Sequence, residues 1–408
     1  MSRLFEISGF VPYANADAWG QRQIGEVAEQ STGGGTPSTS NEDFWGGDIP
    51  WLQSSDLTEH DLFGINARKR ITQNGLKNSA AKLVSANSIA ILTRVGVGKL
   101  VVVPFEYTTS QDFLSLSTLN IDVLFGAYSI YTRVQKDLNQ VQGTSIKGIT
   151  KDELLNKMIN VPHNGEEQTA IGNFFRTLDN ALTLHKRKLD GLKALKKAYL
   201  QQMFPQNRES VPRLRFSGFT GDWQEQKLGD VAEITGGGTP DTTNSEYWDG
   251  DIDWYSPVEI GGEIYSYSSQ RKITELGLKK SSAKILPADR TILFTSRAGI
   301  GDMAILKSPA ATNQGFQSLV VNSDNNVYFI YSMGSKIKEY ALKNASGSTF
   351  LEISGKGLSK MDILVPSKDE QDAIGQFFHN LDERITSQTL KMEQLRKLKA
   401  AYLQKMFI

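Results

Sequence analysis

Arg94 and Arg297 each open a turn of the same form, Arg94-Val95-Gly96-Val97-Gly98 and Arg297-Ala298-Gly299-Ile300-Gly301. A guanidinium is a planar fork of donors that fits a phosphate or the O6/N7 edge of guanine, and glycine lets a backbone approach a ligand closely. Gln111 and Gln314 follow at one common spacing behind the two arginines, with Asn313 beside the second. Gln and Asn amides pair bidentately with adenine. Together these groups suit a polyanion with base edges. A solvated arginine in a surface loop and a glutamine bonded inside its own domain are the competing readings.

Reader residues for two different targets belong where two similar segments diverge. The clearest such windows are Gln53 to Arg70 and Ser256 to Lys272. The first offers Gln53, Ser54 and Arg68. The second offers Tyr265, Tyr267, Gln270 and Arg271, aromatic, amide and guanidinium groups suited to base edges and phosphates. Divergence also marks tolerant loops. The runs Gly33 to Thr36 and Gly236 to Thr239 fit a turn next to a strand better than a phosphate-facing loop. Trp45, Trp51, Trp248 and Trp254 read as core, and the basic run Lys186, Arg187, Lys188, Lys193 and Lys197 as a solvated helix face.

Catalysis by this chain alone finds no residues to carry it. There is no Pro-Pro pair, which removes the Asp/Asn-Pro-Pro-aromatic segment of adenine methyltransferases. Walker A fails twice: Gly98-Lys99 is followed by Leu100 with Thr93 where the first glycine belongs, and Gly355-Lys356 has Phe350 there. Pro240-Asp241 lacks a following Asp/Glu-x-Lys. Histidines 60, 163, 185 and 379 show no metal-ligand spacing, and the absence of cysteine removes thiolate sites and disulfides together. No metal and no cofactor is therefore expected in this chain. Lys plus Arg, 45, equals Asp plus Glu, 45, so any basic surface must arise by local segregation. The N-terminus lacks a signal-peptide h-region and no apolar stretch approaches the roughly 20 residues of a membrane span, which points to the cytoplasm.

These residues recur because the chain is written twice. Gly33-Gly34-Gly35-Thr36-Pro37 returns as Gly236-Gly237-Gly238-Thr239-Pro240, an offset of 203 residues. Trp45 then matches Trp248, Gly47-Asp48-Ile49 matches Gly250-Asp251-Ile252, Trp51 matches Trp254, and Tyr199-Leu200-Gln201 matches Tyr402-Leu403-Gln404. Each copy begins with short β-like runs and turns, a compact α+β domain, and ends in a proline-free stretch with apolar positions four and three apart. The first stripe is Ile171, Phe175, Leu178, Leu182, Leu189, Leu192 and Tyr199. The second is Ile374, Phe378, Leu381, Ile385, Met392, Leu395 and Tyr402. Both break at a polar position, His185 or Gln388, and at a lysine, Lys196 or Lys399. Buried in a seam, such residues lower stability while fixing register.

Asn164 with Glu167 and Ser367 with Glu370 mark the helix starts. A helix of about 39 residues is roughly 58 Å long. Two matched stripes in equivalent places favour an antiparallel coiled coil. The expected organisation is α+β: a first domain 1–162, a long helix 163–205, a linker 206–220, a second domain 221–365 and a second helix 366–408. Two equivalent domains so held suit a polymer gripped at two points, one turn of B-DNA being about 34 to 36 Å.

At this point the chain resembles the specificity-subunit family of type I restriction-modification systems. The resemblance rests on Leu228-Gly229-Asp230-Val231-Ala232-Glu233 leading into Thr235-Gly236-Gly237-Gly238-Thr239-Pro240, then Tyr247-Trp248 and Gly250-Asp251-Ile252-Asp253-Trp254. It continues through Thr295 to Gly301, Thr312-Asn313-Gln314-Gly315-Phe316, Gly347-Ser348-Thr349, Val365-Pro366 and the linker Val211 to Phe219. The first copy departs at Ser110-Gln111-Asp112-Phe113 and Gly143-Thr144-Ser145-Ile146. The resemblance implies two target-recognition domains that read the halves of a split DNA site. It also implies helices that set the spacer and dock two methyltransferase subunits, which modify adenine, and up to two restriction/translocase subunits. S-adenosylmethionine, ATP and Mg then belong to the partner subunits. The rival class is a duplicated protein-interaction scaffold, which neutral charge suits. A self-contained restriction enzyme would need several hundred further residues.

Overall fold

The computed structural model describes residues 19–140, 148–206, 209–297, 299–347 and 351–407. Two compact units emerge, and neither is a simple half of the chain: one comprises residues 1–186 with 390–408, the other 187–389.

In the first unit, strands β1 (Gly20–Gln23), β2 (Ala28–Gly33), β3 (Trp45–Leu52), β4 (Lys69–Ile71), β5 (Ser88–Leu92), β6 (Leu100–Val103), β7 (Thr108–Thr109), β8 (Phe113–Leu119) and β9 (Met158–Val161) form three small sheets. Their orders are β2-β8-β5-β6, β4-β3-β7 and β1-β9. The apolar runs of β5 and β6 are buried at every position. Helix α1 (Val123–Gln140) covers that sheet, burying Phe125, Tyr128, Tyr131 and Val134 at the spacing of one face of an amphipathic helix.

The second unit repeats the plan with β10 (Gln224–Lys227), β11 (Ala232–Gly236), β12 (Trp248–Tyr255), β13 (Tyr265–Ser266), β14 (Arg271–Ile273), β15 (Thr291–Phe294), β16 (Met303–Leu306), β17 (Ala310–Thr312), β18 (Gln317–Val321) and β19 (Asp362–Val365). The sheets are ordered β11-β18-β15-β16-β13, β14-β12-β17 and β10-β19. An added edge strand, β13, pairs parallel to β16. Two shorter helices, Val327–Ser332 and Gly334–Asn344, stand where the first unit has α1.

The two long helices are α2 (Gly165–Gln202) and α3 (Lys368–Met406). Within the first unit, the start of α2 lies antiparallel to the end of α3: the Phe174 and Tyr402 rings meet at 5.1 Å, and Asp179 pairs with Lys399 at 2.5 Å. Within the second unit the roles are exchanged, Tyr199 meeting Phe377 at 5.0 Å and Lys196 pairing with Asp382 at 2.6 Å. Each helix end is thus built into the core of a unit: Met203 and Phe204 are buried in the second, while Tyr402, Leu403, Met406 and Phe407 pack on the core of the first.

This corrects the seam in two ways. Ile171 and Phe175, like Ile374 and Phe378, lie in the α+β core of their own unit. Leu189, Leu192, Leu381 and Met392 are buried further along, and Leu178, Leu182, Ile385 and Leu395 half-buried. The seam lysines are not uncompensated, because each meets an aspartate that also accepts from a buried tyrosine. Tyr128 donates to Asp179 at 2.6 Å and Tyr328 to Asp382 at 2.8 Å. Burial first, and the neighbouring carboxylate second, hold both phenols far above their usual range.

The helix starts are also tied to the segments that lead into each domain. Trp19 donates to Glu167 at 3.1 Å, and Arg215 of the linker grips the buried Glu370 with two bonds of 2.7 Å. Among the described residues no helix is long and apolar enough to cross a membrane.

Candidate nucleic-acid interface

In the first unit four loops converge. Gly35 N–H donates to Thr109 O at 2.8 Å, Ser110 N–H to Leu52 O at 2.9 Å, and Thr93 N–H to Asp112 O at 2.8 Å. The loop after β2, the loop after β3, the Arg94 turn and the Gln111 loop are thereby pinned to one another. The second unit repeats the construction: Gly238 N–H to Thr312 O at 2.8 Å, Asn313 N–H to Tyr255 O at 3.0 Å, and Ser296 N–H to Gly315 O at 2.8 Å.

The glycines serve this packing. A Cβ on Gly35 would lie 2.2 Å from Ala80 O, and one on Gly238 2.4 Å from Ala283 N. The strand therefore ends in a glycine run pressed under its neighbours. Trp51 and Trp254 reach across to bond Gly35 O and Gly238 O at 3.0 and 2.8 Å. The Gly-x-Gly turns behave likewise. Gly98 has φ +85° and Gly301 φ +92°, and a side chain on either would strike Leu138 or Lys338 at 2.3 Å. These glycines shape the turn against a helix; they do not clear space for a ligand, which corrects the sequence expectation.

The outcome is that Arg94 and Gln111 share one surface locus of the first unit, and Arg297, Asn313 and Gln314 the matching locus of the second. Gln111 and Gln314 are exposed, and so is Arg94; Arg297 is half-buried beside Gly315. Each glutamine is braced by a threonine that the sequence reading passed over: Thr36 Oγ1 donates to Gln111 Oε1 at 2.5 Å, and Thr239 makes the same bond to Gln314. The loop after β3 brings Gln53 and Ser54, both half-buried, next to the Gln111 loop.

Other candidates are drawn elsewhere. Tyr265 hydrogen-bonds His379 at 2.9 Å and packs on Tyr328, so it faces its own helix. Arg68 is committed to the buried carboxylate of Asp56 at 2.8 Å and to Ser55 O. In the second unit the backbone N–H of Gln270 serves the equivalent acid, Glu259, at 2.7 Å, which leaves the Gln270 side chain exposed. Tyr267 is exposed. Arg271 stacks over Trp248 at 3.7 Å, and Lys69 lies 5.5 Å over Trp45 in the same place. The two tryptophan pairs have one geometry, centroids 5.1 Å apart at 89°. Residues 143–146, 348 and 349 lie outside the described residues.

Among the described residues no group of three or more His, Asp or Glu is placed to hold a metal. Asp253 underpins the divergent window of the second unit: burial raises its pKa, but the Ser269 N–H, the Ser268 and Ser269 hydroxyls and Lys272 outweigh that and hold it below the ordinary carboxylate value.

These features define a class: a duplicated, helix-linked protein whose two α+β units carry one matched polar surface cluster apiece. The family model for the type I restriction modification DNA specificity domain matches residues 16–194 and again 220–397. The chain belongs to that family.

It is 39% identical over 192 residues to the type I restriction enzyme MjaIX specificity subunit of Methanocaldococcus jannaschii, covering 46% of this chain and 44% of the relative. It is 31% identical over 238 residues to the EcoR124I/EcoR124II specificity subunit of Escherichia coli, covering 56% of each. The matched stretch thus spans about half the length of these curated relatives. The fold is shared with the S subunit of a type I restriction-modification system from M. genitalium, with TM-score 0.63, 18% identity and 98% of both chains covered. A chain from a study of complex assembly and conformational transition of the type I R-M system gives TM-score 0.56 at 16% identity, covering 97% of this chain and 98% of that one.

Proposed function

We propose that this chain is the non-catalytic DNA-recognition subunit of a type I restriction-modification complex, each unit reading one half of a bipartite double-stranded DNA site. The observation that carries this reading is the matched cluster: Arg94, Gln111 and Thr36 in one unit, Arg297, Gln314 and Thr239 in the other, held by equivalent backbone bonds. Residues that are the same in both units serve what both half-sites share, and residues that differ serve sequence.

The remaining machinery belongs to partners. Two methyltransferase subunits dock on the long helices and methylate adenine with S-adenosylmethionine. Up to two restriction/translocase subunits add ATP- and Mg-dependent cleavage in the cytoplasm. The helices set the spacer between the half-sites.

The test is co-expression with the neighbouring methyltransferase gene in a methylation-free bacterial host, followed by genome-wide mapping of N6-methyladenine. A split motif with one modified adenine on each strand is the expected result. A stable complex that leaves no new methylation would overturn the recognition role and favour a protein-interaction scaffold.

A further inference from the structure

At the heart of each cluster, between the residues that the two units share, three positions change together. The first unit has Ser54, Ser110 and Asp112 where the second has Pro257, Asn313 and Gly315. The changes are sterically coupled: a Cβ on Gly315 would meet Pro257 Cγ at 2.7 Å and Asn313 Oδ1 at 2.9 Å, so the second unit has no room for a side chain there.

The chemistry they present differs. Asn313 Oδ1 already accepts the Gly315 N–H at 2.7 Å. That bond fixes the orientation of the amide. In the first unit Asp112 carries acceptors alone. Ser110 Oγ donates to Asp112 Oδ2 at 3.3 Å, which leaves Oδ1 and further lone pairs for a donor from outside. A half-exposed carboxylate on the loop pinned to the Arg94 turn is repelled by phosphates, so a DNA partner that suits it must offer N–H. In the major groove only the exocyclic amines do so, N4 of cytosine and N6 of adenine.

We propose that Asp112, which departs from the shared run where the second unit keeps Gly315, is a specificity determinant of the first unit and accepts from the amino group of a cytosine or adenine in its half-site. The inference rests on the DNA-recognition reading above and names a residue that discriminates.

The test uses the same methylome assay on the intact complex, with Asp112→Asn. The swap keeps the side chain's shape and exchanges an acceptor for a donor. Asp112→Asn is expected to change preference at one base pair of one half-site, from an amino to a keto base, by about ten-fold or more, with the other half-site unchanged. If the wild-type complex yields a split motif and Asp112→Asn shifts no base pair in its own half alone, the inference falls and the recognition reading survives. If the wild-type complex yields no motif, the recognition reading itself has failed.

Discussion

Lys399 Nζ lies 2.5 Å from Asp179 Oδ1, and the same carboxylate accepts the hydroxyl of Tyr128. Lys196, Asp382 and Tyr328 repeat the node in the second unit. Each node ties three elements, the start of one long helix, the end of the other and the helix that covers the sheet. In both, the lysine and the aspartate stand at equivalent positions of the two copies with their partners exchanged.

Removing one partner strands a buried charge, so Lys399→Met is expected to cost about 3 kcal/mol of stability, the low end for a broken buried pair. Replacing the whole node, Lys399→Met with Asp179→Leu and Tyr128→Phe, removes the stranded carboxylate together with the hydroxyl that donates to it and is expected to recover a large part of that loss. Urea unfolding followed by circular dichroism checks both. Equal losses in the single and triple variants would show that the node is not an electrostatic unit.

The Asp253 carboxylate gives a pH signature in the second unit. Its folded pKa lies below the ordinary value of 3.8, so its ionised form favours folding. That contribution is complete above about pH 4 and is lost as the pH falls through the lower folded value. Asp253→Asn is therefore expected to be less stable than wild type at pH 7 and to converge on it in acid, as the pH falls through that lowered value. Denaturation midpoints at pH 7 and in acid measure this; a gap that persists undiminished in acid would assign the loss to packing.

Arg94 and Arg297 occupy matched positions although the surrounding readers differ, which suits a contact with the backbone that every half-site has. Arg94→Ala is expected to weaken binding almost uniformly across DNA sequences and to lower the salt-dependence slope by about one. Titrating binding of the intact complex against salt concentration decides it. A change confined to one base pair, with the slope unaltered, would make Arg94 a base reader.

The duplication, the fold class and the long helices were legible because they repeat at a fixed offset and obey a helical period. The two tryptophan pairs were legible too: Trp51, Trp248 and Trp254 are buried and Trp45 half-buried. Period alone does not separate a helix stripe that meets another helix from one that meets its own sheet, which is why Phe175 and Phe378 were placed in the seam. Nor does sequence reveal which polar groups find partners across the fold. Arg68 meets Asp56 only through the local turn after β3, and Tyr265 meets His379 across 114 residues. The braces Thr36 and Thr239 had a visible signal in their exact repetition. That signal was absorbed by the neighbouring glycines, whose role proved to be close packing.

The brace itself gives the last prediction. Thr239→Val keeps the shape of the side chain and removes the donor to Gln314, while the backbone bond from Gly238 to Thr312 and the Trp254 bond to Gly238 remain. Gln314 is exposed, so an untethered amide gains rotamers that it must give up again on binding DNA. One side-chain hydrogen bond is worth about 0.5 to 1.5 kcal/mol, which corresponds to a loss of roughly two- to ten-fold in affinity for the half-site read by the second unit. Thermal stability is expected to stay close to wild type. Competition binding against DNA altered in one half-site at a time separates the two effects. A weakened first half-site, or an equal loss on unrelated DNA, would show that Thr239 does not act through Gln314.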